Sequence, residues 1–568
     1  MLAKRLSTIV LTCALALSAE EKVDLFTVNR IKNEAFTDSK VMNTMFYLTD
    51  VYGPRLTNSP NFKAAGAWAV KRLQEFGIKD AHQEKWGPFG RGWVNRFYEA
   101  HMVEPQYSPI SGVALAWTNG TPGSIIGEPV LAVIRSEEDM QKFHGLLKGK
   151  IILSTPPRTL PFPTTPTARR YTDAELAAEA TEPEPGESPG NFAARMAANG
   201  QPPMSREERM QLQNKIARFM MDEGVAVVVS AASQGDGDTI FAAAGGTYDP
   251  SKAPGIPAVS MMPEQYNRIA RLVKNNVPVK LEFNIKNEFT DEDESFNIVG
   301  EIPGTGPHKD EVVMLGGHFD SWQGGTGATD NGAGSAVMME AIRILKATDL
   351  QLDRTVRIAL WGGEEEGLLG SRAYVKEHFA DRETMKLTEQ HAKISGYFNL
   401  DNGTGKIRGV YLQGNDMMRP IFESWLAPFK DLGVSTISPR NTGGTDHLSF
   451  DGVGIPGFQF IQDPMDYETR THHSNMDVYD RIQAGDLMQA SAVIASLVYD
   501  TANRPELLPR KPLPAPQPAR RPMPTVTVLP TAAVTTPAAA KKAKRRMPAP
   551  AATPTVTATA ATSGSTPN

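Results

Sequence analysis

Short apolar runs alternate with longer mixed stretches from Asn297 to about Ala502. Val312-Val313-Met314-Leu315, Val356-Arg357-Ile358-Ala359-Leu360-Trp361, Tyr397-Phe398-Asn399-Leu400 and Gly457-Phe458-Gln459-Phe460-Ile461 are short, rich in β-branched and aromatic residues, and bounded by turn or polar residues. That pattern predicts four strands. Residues 333–345 and 368–378 predict helices between them. Strand–helix alternation predicts an α/β sheet with helices on both faces, and in such sheets chemistry collects at strand ends. Upstream, residues 29–77 read as helical, with a loop at 52–56 and a helix closed by Gly77. Residues 120–285 have another character. Strands are predicted at 130–134, 149–153 and 225–229, and a helix at 263–273. Between Pro156 and Pro203 stand ten prolines, which predict an irregular excursion.

The two ends of the chain differ from its body. Lys4 and Arg5 precede an apolar run at 6–17, followed by the small residues Ser18 and Ala19. This is the pattern of a cleaved signal peptide over 1–19, too short to span a bilayer, and it predicts an exported protein, periplasmic or extracellular. The single cysteine, Cys13, lies inside it, so the mature chain is expected to hold no disulfide and no thiolate metal site. No later stretch predicts a transmembrane helix. At the other end, residues 503–568 are rich in Pro, Ala and Thr with a basic run at 541–546, and predict a disordered tail.

Composition changes the picture only a little. The 568 residues are 40% hydrophobic and 22% charged, enough apolar material for a large core. The net charge is −5, but the ten basic residues and one acid from Arg504 onward leave −14 on the rest. An acidic body argues against a nucleic-acid partner and suits a protein that holds cations.

The candidate chemistry follows the strands in order. His318 and Asp320 come just after the first, and Asp330 stands where the next helix opens. Glu364, Glu365 and Glu366 follow the second strand, and Asp401 the third. Asp446 and His447 lie in Gly443-Gly444-Thr445-Asp446-His447, and His472 and His473 follow the fourth strand. Any one of these has an ordinary structural explanation, Asp330 as a helix cap for example. Together they crowd one rim with carboxylates, which is unfavourable unless cations occupy it. Imidazole with carboxylate suits zinc or a similar divalent ion. Other chemistries lack their motifs: no Gly-x-Ser-x-Gly elbow stands at a strand-to-helix turn, and neither a phosphate-binding Gly-x-x-x-x-Gly-Lys-Ser/Thr nor a His-Glu-x-x-His occurs.

These residues resemble the co-catalytic two-zinc peptidase family, which includes bacterial zinc aminopeptidases, glutamate carboxypeptidase II and plasma glutamate carboxypeptidase (carboxypeptidase Q). The resemblance is carried by Gly316-Gly317-His318-Phe319-Asp320-Ser321-Trp322, Asp330-Asn331-Gly332-Ala333-Gly334, Trp361 to Ser371, Asn399-Leu400-Asp401, Gly444-Thr445-Asp446 and His472-His473-Ser474. Tyr52-Gly53-Pro54-Arg55-Leu56 resembles the family's N-terminal part. The resemblance implies a zinc-exopeptidase fold, a central mixed β-sheet flanked by helices, with an inserted β-rich protease-associated domain. The expected division is 20–119 for the N-terminal part of the peptidase domain, 120–285 for the insert with its excursion at 155–213, and 286–502 for the catalytic domain.

Residue by residue, the resemblance implies two Zn2+ per chain. His318 and Asp401 would hold one, Glu365 and His473 the other, with Asp330 bridging and Glu364 as general base toward a hydroxide shared by the two metals. Asp320 would orient His318, and Asp446 would support the site. Glu366 is expected to be a bystander. His472 competes with His473 for the ligand place and is otherwise the oxyanion candidate; the oxyanion donor stays open. A cis peptide after Asp330 is also implied. The expected activity is hydrolysis of short peptides from one end, of aminopeptidase or dipeptidase type. A glutamate-type carboxypeptidase and a non-catalytic binding relative are the alternatives. A homodimer is left open.

Overall fold

The structure, a computed structural model, describes residues 21–181, 206–291 and 293–517. The expected signal peptide, part of the proline-rich excursion and the tail from 518 lie outside the described residues.

An eight-stranded mixed sheet organises the body. Its strands run in the spatial order His82–Trp86, Ser295–Ile302, Thr355–Trp361, Val312–His318, Ile394–Asn399, Gly457–Gln462, Ile407–Tyr411 and Thr436–Ser438. Val312–His318 pairs in parallel with both Thr355–Trp361 and Ile394–Asn399, which come later in the chain on opposite sides of it. The connections therefore diverge beyond His318, the kind of switch point where an α/β sheet opens a crevice. All four strands predicted in this region are present.

Alternation along the strands divides the core. Val313 and Leu315 join a large core with Val356, Ile358 and Leu360, under the helices Leu25–Thr37, Ala333–Ala347 and Ala484–Asn503. Val312, Met314, Ala359 and Trp361 belong to a separate core with Tyr374 and Phe450 from the helices Leu369–His378 and His447–Asp451. Side chains one residue apart on a strand point to opposite faces, so the central strands are apolar throughout. The helix Ala333–Ala347 is buried through Leu345, between the sheet and the helices outside it.

Two smaller sheets make up the middle of the chain. One has the order Gly112–Ala114, Ala258–Met261, Val227–Ala231, Ile151–Leu153 and Pro129–Leu131, mostly parallel. The other is built on the long antiparallel pair Gly92–Glu104 and Lys280–Thr290. This pair carries the sheet system beyond the 120–285 span expected for the insert. The boundary at 120 came from the run of short strands and the resemblance, and neither registers a pairing between segments so far apart in the chain. The expected disorder from 503 also needs correcting. Residues 505–517 pack on the body: Leu508 is 2% exposed, Arg510 donates to the carbonyl of His391, and Gln517 N–H donates to the carbonyl of Arg382. Proline in this stretch fits an extended strap that forms few backbone ladders.

Candidate metal centre

The strand Val312–His318 delivers His318, 1% exposed, to the crevice. Its Nδ1 lies 3.1 Å from the backbone carbonyl of Asp320, to which it donates, and this turns Nε2 toward the crevice. Nε2 stands 3.2 Å from Asp330 Oδ1 and 3.2 Å from Asp401 Oδ1. Asp330 turns its other oxygen, Oδ2, to His473 Nε2 at 3.2 Å, and His473 Nε2 is 2.9 Å from Glu365 Oε2. One carboxylate thus joins two clusters, each of an imidazole and a second carboxylate. For metal–ligand bonds of about 2.0–2.1 Å, the edge of a zinc tetrahedron is about 3.3 Å. The three 3.2 Å separations are close to that length, and the 2.9 Å between His473 and Glu365 is shorter.

Local structure explains the placement of Asp330. It does not cap the following helix: its φ of −130° and ψ of 93° are extended, and its peptide bond to Asn331 is cis. Asp477 holds this stretch, accepting the N–H of Thr329 at 2.5 Å and of Asp330 at 3.3 Å. Asn331 ties the far side, donating to the carbonyl of Leu400 next to Asp401.

The three glutamates separate by direction. Glu365 points to His473, and its Oε1 is buried without a hydrogen bond. Glu364 is 8% exposed and faces His318, Asp401 and Asp446. Glu366 accepts the Thr57 hydroxyl at 2.8 Å and lies half-buried beside Asp320, outside both clusters. Asp320 uses its carboxylate differently from the expectation. Its Oδ1 is 3.8 Å from His318 Nδ1, beyond hydrogen bonding, and accepts the N–H of Glu364 at 3.1 Å; its Oδ2 accepts the N–H of Glu365 at 3.2 Å. The contact to His318 is made by its carbonyl.

Between the two histidines the geometry is unequal. His472 Nε2 is 3.7 Å from Asp330 Oδ2, farther than His473, and makes no close approach to Glu365. Its ring packs tilted against His473 and Tyr467, with centroids 3.8 and 4.8 Å away. Asp446 is fully buried and neither of its carboxylate oxygens has a hydrogen-bond partner.

The electrostatics follow from burial. Desolvation raises Glu364 well above the carboxylate range, and raises Glu365 and Asp446 to about 7, helped by neighbouring carboxylates. Burial alone would lower His473, but Glu365 and Asp330 raise it to about 11. Asp330 is held well below the carboxylate range because hydrogen bonds from His318 and His473 and the charges of His473 and His472 outweigh its own desolvation. Buried carboxylates this dense, with oxygens left unbonded, are a donor set for divalent cations.

Some participants were not singled out in sequence. Asp477, Thr57 and Arg55 surround the site and touch its scaffold. Arg55 is fully buried and donates to the carbonyls of Leu48, Phe319, Thr326 and Gly327. Its place in Tyr52-Gly53-Pro54-Arg55-Leu56 was the available signal, since an arginine in an apolar loop must find acceptors. Tyr467 is also buried, with desolvation and the charges of Asp330, Asp401 and Glu365 raising its hydroxyl well above the usual range.

Comparison with known proteins gives the family. Residues 297–498, which contain every expected metal ligand, match the model of peptidase family M28. Carboxypeptidase Q of Mus musculus is 27% identical over 467 residues, 82% of this chain and 86% of that protein. Aminopeptidase YwaD of Bacillus subtilis (strain 168) is 31% identical over 257 residues, 44% of this chain and 52% of that protein. The crystal structure of a peptidase M28 precursor from Shewanella amazonensis SB2B shares the fold, with a TM-score of 0.61, 24% identity, and coverage of 86% of this chain and 98% of that one. BSAP, a zinc aminopeptidase from Bacillus subtilis, has a TM-score of 0.51 at 21% identity, over 82% of this chain and 94% of that one. Residues 297–498 thus match peptidase family M28, and the chain is a hydrolase of the metallo-exopeptidase type.

Proposed function

We propose that this protein is an exported exopeptidase that removes residues from short peptides, of aminopeptidase or dipeptidase type, with two zinc ions per chain. The observation that carries this reading is the Asp330 carboxylate, whose two oxygens lie 3.2 Å from His318 and 3.2 Å from His473. A carboxylate so placed between two nitrogen–oxygen clusters suits a bridge between two ions. His318 and Asp401 would hold one, Glu365 and His473 the other. When bound, such an ion pair polarises a scissile carbonyl and lowers the pKa of an attacking water.

The remaining work belongs to the chain. Glu364 takes the proton of the attacking water and delivers it to the leaving amine. Asp320 fixes the backbone of Glu364 and Glu365, so the base and the ligand keep separate directions. His472, packed against Tyr467 and His473, is the candidate to steady the oxyanion. Asp446 supports the site from beneath, buried beside the carboxylates of Asp401 and Asp320.

The test uses the purified mature chain and a pool of short peptides with free or blocked ends, read by mass spectrometry with and without chelator. Trimming that chelator stops, and that an N-terminal block prevents, is the expected result. Prevention by a C-terminal block alone would instead give the carboxypeptidase reading, which the likeness to carboxypeptidase Q keeps in view. No cleavage with zinc restored would overturn both.

A further inference from the structure

The loop between the strand Gly457–Gln462 and residue 477 carries His472 and His473, and the middle part of the chain holds it from two sides. On one side, residues 238–242 run against it. Ala242 N–H donates to the carbonyl of His473 at 2.9 Å, and Asn475 N–H donates to the carbonyl of Ile240 at 3.1 Å. The Asn475 side chain closes this seam: it accepts the N–H of Ile240 at 2.7 Å and donates to the carbonyl of Asp238 at 2.9 Å. On the other side lie residues 167–171. Arg169 N–H donates to the carbonyl of Met465 at 3.0 Å, the Thr469 hydroxyl donates to the carbonyl of Thr167 at 2.9 Å, and Arg170 pairs with the buried Asp463 and Asp486, 2.8 Å from each.

The grip matters because of the backbone at His473. Its φ is +58°, a left-handed conformation that non-glycine residues seldom adopt unless their surroundings impose it. Residues 238–242 supply the groups that bond its carbonyl and Asn475, while Ser474 is bonded within the loop itself. Trp322, on the loop before Asp330, packs edge-on against the His473 ring, with centroids 6.0 Å apart, and Trp117 from the middle region packs on Trp322 in turn.

We propose that residues 238–242 form part of the metal centre: through Asn475 they hold His473 in its ligating conformation, so that affinity for the ion on the Glu365–His473 side depends on this seam. Asn475 is then a positioning residue that acts through His473. The proposal rests on His473 being a ligand. It gives the middle region a role in building the site. It also predicts that the two ions respond unequally to a change at the seam, since His318 and Asp401 stand on the central sheet and touch none of these residues.

The experiment measures zinc per chain and zinc affinity by competition with a chromophoric chelator on the purified full chain. Wild type is expected to bind two ions. Asn475→Ala is expected to keep its fold and one ion at wild-type affinity while the second binds about 10–100-fold more weakly, the usual effect of removing an outer support of a ligand. Added zinc should then restore activity. Asn475→Asp keeps the acceptor for Ile240 N–H and loses the donor, so it should fall between the two; it also carries the comparison if the alanine variant does not fold. Tyr266→Phe, which removes a hydrogen bond to the carbonyl of Thr155 inside the same region but away from the seam, should leave both affinities unchanged. Two ions held by Asn475→Ala at wild-type affinities, or equal weakening in Tyr266→Phe, overturns the proposal. Fewer than two ions on wild type overturns the ligand assignment beneath it, a separable result.

Discussion

Asp320 and Glu364 are joined by a hydrogen bond from the Glu364 backbone N–H to Asp320 Oδ1, 3.1 Å long, and the second oxygen of the same carboxylate holds Glu365. One buried side chain thus sets the backbone from which both the proposed base and a proposed ligand project. Asp320→Asn preserves size but turns one acceptor into a donor facing a backbone N–H, so one of these bonds is lost. The expected outcome is a fall of about 10–100-fold in kcat/KM. Kinetics on a peptide substrate beside zinc content will check it, and an unchanged kcat/KM would remove Asp320 from the account.

Glu364 and Glu365 are neighbours with different expected failures. Glu364→Gln removes the proton acceptor and should lower kcat by about 10²–10⁴-fold with zinc content retained. Glu365→Gln takes a carboxylate from His473 and should instead lose zinc. Metal analysis paired with kinetics on both variants tells them apart. Zinc loss in Glu364→Gln would mean that the register of the glutamates has been misassigned.

Arg55 lies fully buried among carbonyls rather than carboxylates, and desolvation lowers its pKa to about 10 despite the charges of Asp477, Asp320 and Asp330. Arg55→Met leaves the carbonyls of Phe319 and Gly327 without their donors beside the loop that leads to Asp330. A destabilisation of about 3 kcal/mol is expected, with partial recovery in Arg55→Lys, which restores the charge but not the planar fork. Denaturant unfolding of the two variants measures it.

Asp500 gives a pH dependence away from the metal centre. Burial, with Asp24 and Glu21 nearby, raises its pKa from 3.8 to about 8. An acid whose folded pKa lies above its unfolded value binds the proton more tightly in the folded state. Its stability contribution is complete below the unfolded pKa and is lost as pH rises through the folded pKa. Asp500→Asn should therefore match wild type near pH 4 and exceed it by pH 8 or 9, on the order of a few kcal/mol. Thermal melts of both proteins across that range decide it. A constant difference at every pH would mean that Asp500 does not titrate in this window.

Much of the site could be read from the chain because strand-end residues are local features. The apolar run 312–315 predicted a strand, and His318 leaves its end where that strand stops. The surroundings of Glu366 could not be read the same way. Its neighbours in sequence suggested a bystander, and it stands outside both clusters, but the Thr57 hydroxyl that it accepts comes from 309 residues away. His473 was preferred to His472 as ligand on the resemblance, but their distances to Asp330 and Glu365 are a matter of loop path.

What the sequence by itself determined was the strand–helix period, the apolar central strands and the kinds of side chain that stand at their ends, since each follows from periodicity and residue type over a few positions. The tertiary structure alone decided that one carboxylate of Asp330 spans His318 and His473, that Asp320 bonds the backbone of the glutamates, and that residues 238–242 hold the His473 loop. Those relations join segments tens to hundreds of residues apart, and they are fixed only when packing brings the backbones together and every buried polar group must find a partner.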